Sequence, residues 1–144
     1  MSAYPVTCIR QPWASLVAMG VMDVLNRFWT YRRKGTLLIA ASRVLLADEM
    51  RAAIDCIQSI GSAALLDWAH RAAMDGLPKG CLMARVKVHG SRIFYDSPWA
   101  DHGQIQWLVS DARPVEQIPV IGRTGVWQWR GSLKFLPRSE FACV

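Results

Sequence analysis

The chain has 144 residues, 52% of them hydrophobic and seven of them Trp. That is long enough to bury a core of its own, and it is too apolar for a disordered chain. The net charge of +6 is unevenly placed and suggests a polyanion-binding face. Val24 to Ala47 carries Arg27, Arg32, Arg33, Lys34 and Arg43 with no acidic residue, and Ala112 to Arg138 sets five basic residues against Glu116 alone. Between them, Asp48 to Asp75 holds five acidic residues against Arg51 and Arg71. Ordinary solvated surfaces would give the same count, so charge alone does not decide. Cys8, Cys56, Cys81 and Cys143 form no close pair, no secretory signal is evident, and no apolar run is long enough to span a membrane. The expectation is a cytoplasmic protein with free thiols.

In chain order, Val6 to Arg10 reads as a first strand. Pro12 and Gly20 suit the two ends of a helix whose apolar face holds Trp13, Leu16 and Val17. Met22 to Trp29 and Thr36 to Ser42 read as strands joined by the polar Thr30–Gly35 segment. Two helices follow. Met50, Ile54 and Ile57 recur at helical spacing before Gly61, and Ser62 caps a second run with Leu65, Leu66, Ala69 and Ala73 inward and Gly76 at its end. Gly80 to His89 alternates, with Leu82, Ala84, Val86 and Val88 on one side and Met83, Arg85, Lys87 and His89 on the other. Further strands are expected at Arg92–Tyr95, Ile105–Val109, Val115–Ile121 and Val126–Trp129. The pattern predicts one α+β domain over 1–144: a small mixed β-barrel with a helix after the first strand and a two-helix insertion packed on the barrel.

Three segments are similar to the ASCH family, whose fold is related to the PUA domain of RNA-modifying proteins. They are Ile9-Arg-Gln-Pro-Trp-Ala-Ser-Leu-Val, the stretch from Gly20-Val-Met-Asp-Val-Leu-Asn-Arg-Phe-Trp through Tyr31-Arg-Arg-Lys-Gly-Thr-Leu-Leu-Ile-Ala-Ala-Ser, and Trp107-Leu-Val with Ile118-Pro-Val-Ile-Gly-Arg-Thr-Gly-Val-Trp. The order and spacing cover almost the whole chain. The resemblance implies a PUA-like barrel and a ligand cleft between the first helix and the barrel. It departs at the family's lysine position, here Met22, and at its glutamate or threonine position, here Leu25. One branch of the family hydrolyses an acetylated cytidine with a lysine and a threonine in this stretch. Methionine supplies no amine and leucine no nucleophile, which argues against that reaction here.

The remaining side chains suit recognition. Arginine forks grip phosphate, an asparagine amide can pair with a base edge, and indoles stack on splayed-out bases. With the implied cleft, Arg10, Gln11 and Trp13 form one wall and Asn26, Arg27, Arg33 and Lys34 another; Trp29, Arg32 and Arg123 complete the expected binding set. Each has a structural alternative. Trp13, Trp29 and Trp107 can be packing residues, Arg27 can pair with Asp23 or a backbone carbonyl, and Arg32-Arg33-Lys34 can be a solvated loop. The leading expectation is an RNA or single-stranded nucleic-acid-binding domain. A metal-independent ribonuclease or nucleoside-modifying hydrolase is the alternative, drawing on Lys34, Tyr31, His89 or His102, and docking of an acidic protein partner is a third reading. The three histidines lie in no metal-ligand spacing, and neither a metal nor a cofactor is expected.

Overall fold

The computed structural model describes residues 2–139; Cys143 lies outside the described residues. Nine elements follow in the order β1 (Ser2–Gln11), α1 (Trp13–Ala18), β2 (Val24–Arg27), β3 (Gly35–Leu45), α2 (Ala47–Ile60), α3 (Ala63–Asp75), β4 (Cys81–Arg92), β5 (Ile105–Pro114) and β6 (Val126–Gly131). The strands form one six-stranded mixed sheet of order β2-β5-β4-β3-β1-β6. β1 and β3 are parallel and the other neighbours antiparallel. The chain is therefore α+β, as the sequence pattern predicts.

The helix signals act where the residues suggest. Gly61 ends α2 in the left-handed region at φ +87°, and the Ser62 hydroxyl accepts the Leu65 N–H to start α3. Two expected strands do not form. Residues 115–121 make only the isolated bridges Val115↔Phe135 and Cys81↔Pro119; Pro114 and Pro119 have no N–H with which to sustain a ladder. β4 stops at Arg92, and the chain turns at Phe94, where φ is +53°.

The sheet is not closed by hydrogen bonds, since β2 and β6 are its two edges. It is nevertheless strongly curled. A flat sheet would hold β2 and β1 four strand spacings apart, about 19 Å, yet Arg27 Nη1 on β2 donates to the Cys8 carbonyl on β1 at 3.1 Å. β6 pairs with β1 only from Ser2 to Thr7, which leaves the Cys8 carbonyl free to accept.

One face of the sheet packs Leu25, Leu37, Ile39, Val86, Val88 and Trp107 against α1, α2 and α3. The other face holds a smaller cluster of Val6, Leu38, Ala40, Leu82 and Val115, covered by Ile118, Val120, Trp127 and Leu133. The simple alternation expected along β4 breaks near its start. Ile39 opposes Ala84 and Ala40 opposes Leu82, so Met83 is an extra residue. That bulge turns Leu82 to the small cluster while Met83 and Ala84 join the main core.

Gln11, expected in a binding wall, is fully buried. Its amide donates to the Pro78 carbonyl at 2.8 Å and accepts the Ser15 N–H at 2.9 Å. It thus supplies the capping bond that Pro12 cannot give α1. At the far end of β5, Asp111 accepts from Arg138 at 2.7 Å and Arg85 at 3.1 Å, with Lys87 Nζ at 3.7 Å. The Arg138 hydrogen bond holds its carboxyl below the ordinary 3.8; burial opposes it, and the charges of Arg85, Lys87 and Arg138 add to the lowering.

Gln11→Ala leaves a buried carbonyl and a helix N–H unpaired. It is expected to lower unfolding free energy by about 2–4 kcal/mol in urea titration; an unchanged midpoint would show that the bonds are dispensable. Because the folded pKa of Asp111 is depressed, its stabilisation is present above the unfolded value near 4 and is lost as pH falls through the folded value. Asp111→Asn is therefore expected to destabilise the protein at pH 7 and to flatten its stability profile below about pH 4. Parallel profiles for the two proteins would refute that assignment.

Candidate nucleic-acid interface

Where the curled sheet fails to close, a cleft of about 530 Å³ opens at the C-terminal ends of β1 and β3. Its lining combines Cys8, Arg27, Trp29, Arg43, Arg123 and the glycine-containing 121–125 loop. The volume lies within the usual range for small-molecule sites, about 300–1,000 Å³.

Arg27 occupies the mouth from inside. It shares the face of its β2 neighbour Leu25, which lies directly opposite Trp107. Its guanidinium sits 4.5 Å from the Trp29 ring centre and 5.4 Å from that of Trp107. Burial pushes its pKa below the ordinary guanidinium range, with Cys8 opposing, and it remains a cation at neutral pH. Its Nε is buried without a hydrogen-bond partner. Cation–π contacts contribute about 0.5–2 kcal/mol each, against a desolvation cost of several kcal/mol for a buried ion. The group is held, but its charge is not neutralised.

Trp107 is the post on which this corner is built. It is fully buried, its Nε1 donates to the Trp29 carbonyl at 2.8 Å, and Tyr31 stacks on it at 4.8 Å. Trp29 meets it edge-on and stays 39% exposed, so one aromatic surface faces outward beside Arg27. Of the two structural alternatives for Arg27, pairing with a backbone carbonyl is the one observed.

The opposite wall is pinned from three sides. Val120 N–H donates to the Gly80 carbonyl, Leu82 N–H to the Ile118 carbonyl, and the Thr7 hydroxyl to the Gly125 carbonyl. Gly80 has φ +65°, and a Cβ there would come within 3.1 Å of the Arg43 side chain. The positive φ favours glycine, and a side chain there would have to shift Arg43 by a few tenths of an ångström. A Cβ at Gly122 would meet Cys8 Sγ at 3.3 Å, a tight contact that makes loop and thiol close neighbours. Burial raises the Cys8 thiol above its ordinary 9.0 more than Arg27 lowers it, so it is uncharged at neutral pH. Among the described residues, none of Arg27, Arg43 and Arg123 has a carboxylate partner.

The structure redistributes the expected set. Arg27, Trp29 and Arg123 meet in this cleft. Arg10, Gln11 and Trp13 do not form its other wall. Arg10 pairs with Glu49 at 3.3 Å and Trp13 Nε1 donates to the same carboxylate at 2.8 Å, tying α1 to acidic α2; Gln11 is spent inside. Arg32, Arg33 and Lys34 are exposed and outside the lining. Met22 and Leu25, at the departures from the ASCH pattern, are core residues 5% and 2% exposed.

The Asn26 side chain is engaged in internal hydrogen bonds. Its Nδ2 donates to the Trp99 carbonyl, and its Oδ1 accepts from the Asp101 N–H and from Gln106 Nε2. Its side-chain bonds reach the 99–101 loop and Gln106 at the start of β5. Arg43, Cys8 and Ile121 were not expected in the site. The Gly80 turn that brings Arg43 beside β1 joins residues far apart in sequence, so no local motif signals it.

Among the described residues no His/Cys/Asp/Glu group could hold a metal ion, and no helix is long and apolar enough to cross a membrane. Compared with known proteins, the chain matches no family model, and no curated protein matches it.

Removing the Asn26 amide should free the loop it holds. Asn26→Ala is expected to speed amide exchange at Asp101 and to cost about 1–3 kcal/mol of stability. Native protection of Asp101 in that variant would place the anchor elsewhere.

Proposed function

We propose that the protein binds single-stranded nucleic acid, RNA foremost, with a phosphate and its base held in the Arg27–Arg43–Arg123 cleft. The observation that carries this reading is the Arg27 guanidinium. It lies against Trp29 with an unpartnered buried Nε and no carboxylate, at the mouth of a cleft holding two more unpaired arginines. A phosphate offers the acceptors and the negative charge that such a group lacks, and a base can stack on the exposed Trp29 surface. The ASCH resemblance supports RNA as the ligand class, although the cleft it implies borders the first helix and no α1 residue lines the Arg27–Arg43–Arg123 cleft. On this reading the protein acts in the cytoplasm.

Binding is favoured over catalysis by what lines the cleft. Its polar side chains are arginines, Cys8, Ser42 and Thr124, with no imidazole, carboxylate or amine for general acid–base work. The imidazoles named for a ribonuclease are engaged elsewhere, His89 with the Ser110 hydroxyl and His102 with the Tyr95 carbonyl. The acetylcytidine hydrolase reading finds its two key positions filled by the buried Met22 and Leu25.

Fluorescence anisotropy with a labelled eight-nucleotide RNA across a potassium chloride series tests the proposal. Affinity is expected to fall with salt, with a log–log slope of about −0.7 per phosphate neutralised. Arg43→Ala and Arg123→Ala are each expected to weaken binding and to flatten that slope by about 0.7. Salt-independent binding, or wild-type affinity in the double variant, would remove the cleft from the account.

A further inference from the structure

Directly beyond the end of β2 lies a second feature that the cleft does not use. Phe28 is 78% exposed, Ile93 66% and Phe94 67%, and with His102 and Ile105 they border a hollow of about 230 Å³. Three large apolar side chains so exposed together form a patch rather than scattered surface residues. Sheet register explains the gathering. Arg27 opposes Ile105 and Arg92 opposes Gln106, so Phe28 and Ile93 continue the two strands flanking β5 at the same end of the sheet.

The patch is held rigidly. Phe94 sits in the left-handed region at φ +53°, a conformation costing about 1–3 kcal/mol for a bulky residue. Its ring meets His102 edge-on at 5.7 Å, and His102 Nε2 is bonded to the Tyr95 carbonyl at 3.0 Å. Gln106 Nε2 binds the Asp101 and Gln104 carbonyls, and the Asp101 carboxylate caps the Gly103 N–H. The Asn26 network thus braces the loop that carries His102.

The surroundings are basic. Ser91 Oγ donates to the Tyr31 carbonyl at 3.2 Å, which brings the start of the exposed Arg32-Arg33-Lys34 run to the strand end that continues into Arg92 and Ile93. Among the described residues none of these four cations has a carboxylate partner. Exposed aromatic rings beside unpaired cations are what a single strand needs, with faces for bases and charges for its backbone.

We infer that the Phe28–Phe94–His102 platform stacks the base of a nucleotide adjoining the one in the Arg27 cleft, with Arg92 and the Arg32–Lys34 run gripping the phosphates between them. The inference rests on the binding reading above and extends it to at least two nucleotides in unpaired form. Phe28 joins the two places directly, because its neighbours Arg27 and Trp29 both line the cleft.

The test uses the labelled eight-nucleotide RNA and a matched eight-unit abasic sugar–phosphate strand, with Phe28→Ala and Phe94→Gly. The glycine keeps the left-handed backbone of position 94, and both side chains are exposed, so folding is retained. Each variant is expected to lose about 5- to 150-fold in affinity for the RNA, the loss of one stacked base, and nothing for the abasic strand. Undiminished RNA binding, or an equal loss on both strands, would overturn the platform while leaving the cleft intact. A wild-type protein that ignores both strands would instead defeat the binding reading itself. Sedimentation of the protein alone supplies a further check: a wild-type dimer abolished by Phe28→Ala would assign the patch to self-association and overturn the inference.

Discussion

An uncompensated cation inside a curled sheet governs the architecture of this protein. Arg27 projects from an edge strand toward the core, where an arginine ordinarily finds a carboxylate. It finds a backbone carbonyl and two indole faces instead. The carbonyl is available only because β6 releases β1 after Thr7, and the indoles are in position only because Trp107 is buried beneath Trp29 and Tyr31. Curl, cleft and aromatic corner are thus one arrangement. An edge strand drawn in by its own arginine leaves a mouth where the sheet does not complete its hydrogen bonding.

Charge is sorted by the same arrangement. The acidic segment forms α2 and α3, and Glu49 on α2 draws Arg10 and Trp13 of the β1–α1 region toward itself. Those residues are thereby neutralised or occupied. Arg27, Arg43 and Arg123 at the cleft, and Arg32, Arg33, Lys34 and Arg92 near the end of β2, are among the described cations that keep no acidic partner. Asp111 performs the opposite task on the far side of the sheet, gathering Arg85, Lys87 and Arg138 around one carboxylate and fastening the segment after Lys134 to β5. Ion pairing thus serves the β1–α2 and β5 contacts and leaves the three cleft arginines uncompensated.

Much of the architecture is legible in the residues. Helical spacing of Met50, Ile54 and Ile57, the Gly61 stop and the Ser62 cap are local signals, and each acts within a turn or two of itself. The alternation along β4 is legible except at Met83, where a bulge shifts the phase because the facing strand, not β4 itself, sets the register. The false strand at 115–121 has the apolar content of a strand but Pro119 where a ladder needs a donor. The candidate site is legible only in part. Arg27, Trp29 and Arg123 carry the right chemistry for recognition, yet Asn26 and Gln11 carry it equally well and are consumed by internal bonds. Donor and acceptor capacity is a property of the side chain; whether it is spent depends on neighbours that lie 67 and 73 residues away for these two.

The sequence by itself determined the class of structure, the helices and their ends, the basic segments and the acidic segment between them. These follow from periodicity, caps and charge runs, all of which act over a few residues. Only the tertiary structure decided which cations stay unpaired and which polar groups are already satisfied, and it alone brought Arg43 and the 121–125 loop to Arg27. It also gathered Phe28, Ile93 and Phe94 into one exposed patch at the end of three neighbouring strands. The reason is that curl and register set these meetings, and both are collective properties of six strands rather than of any one segment.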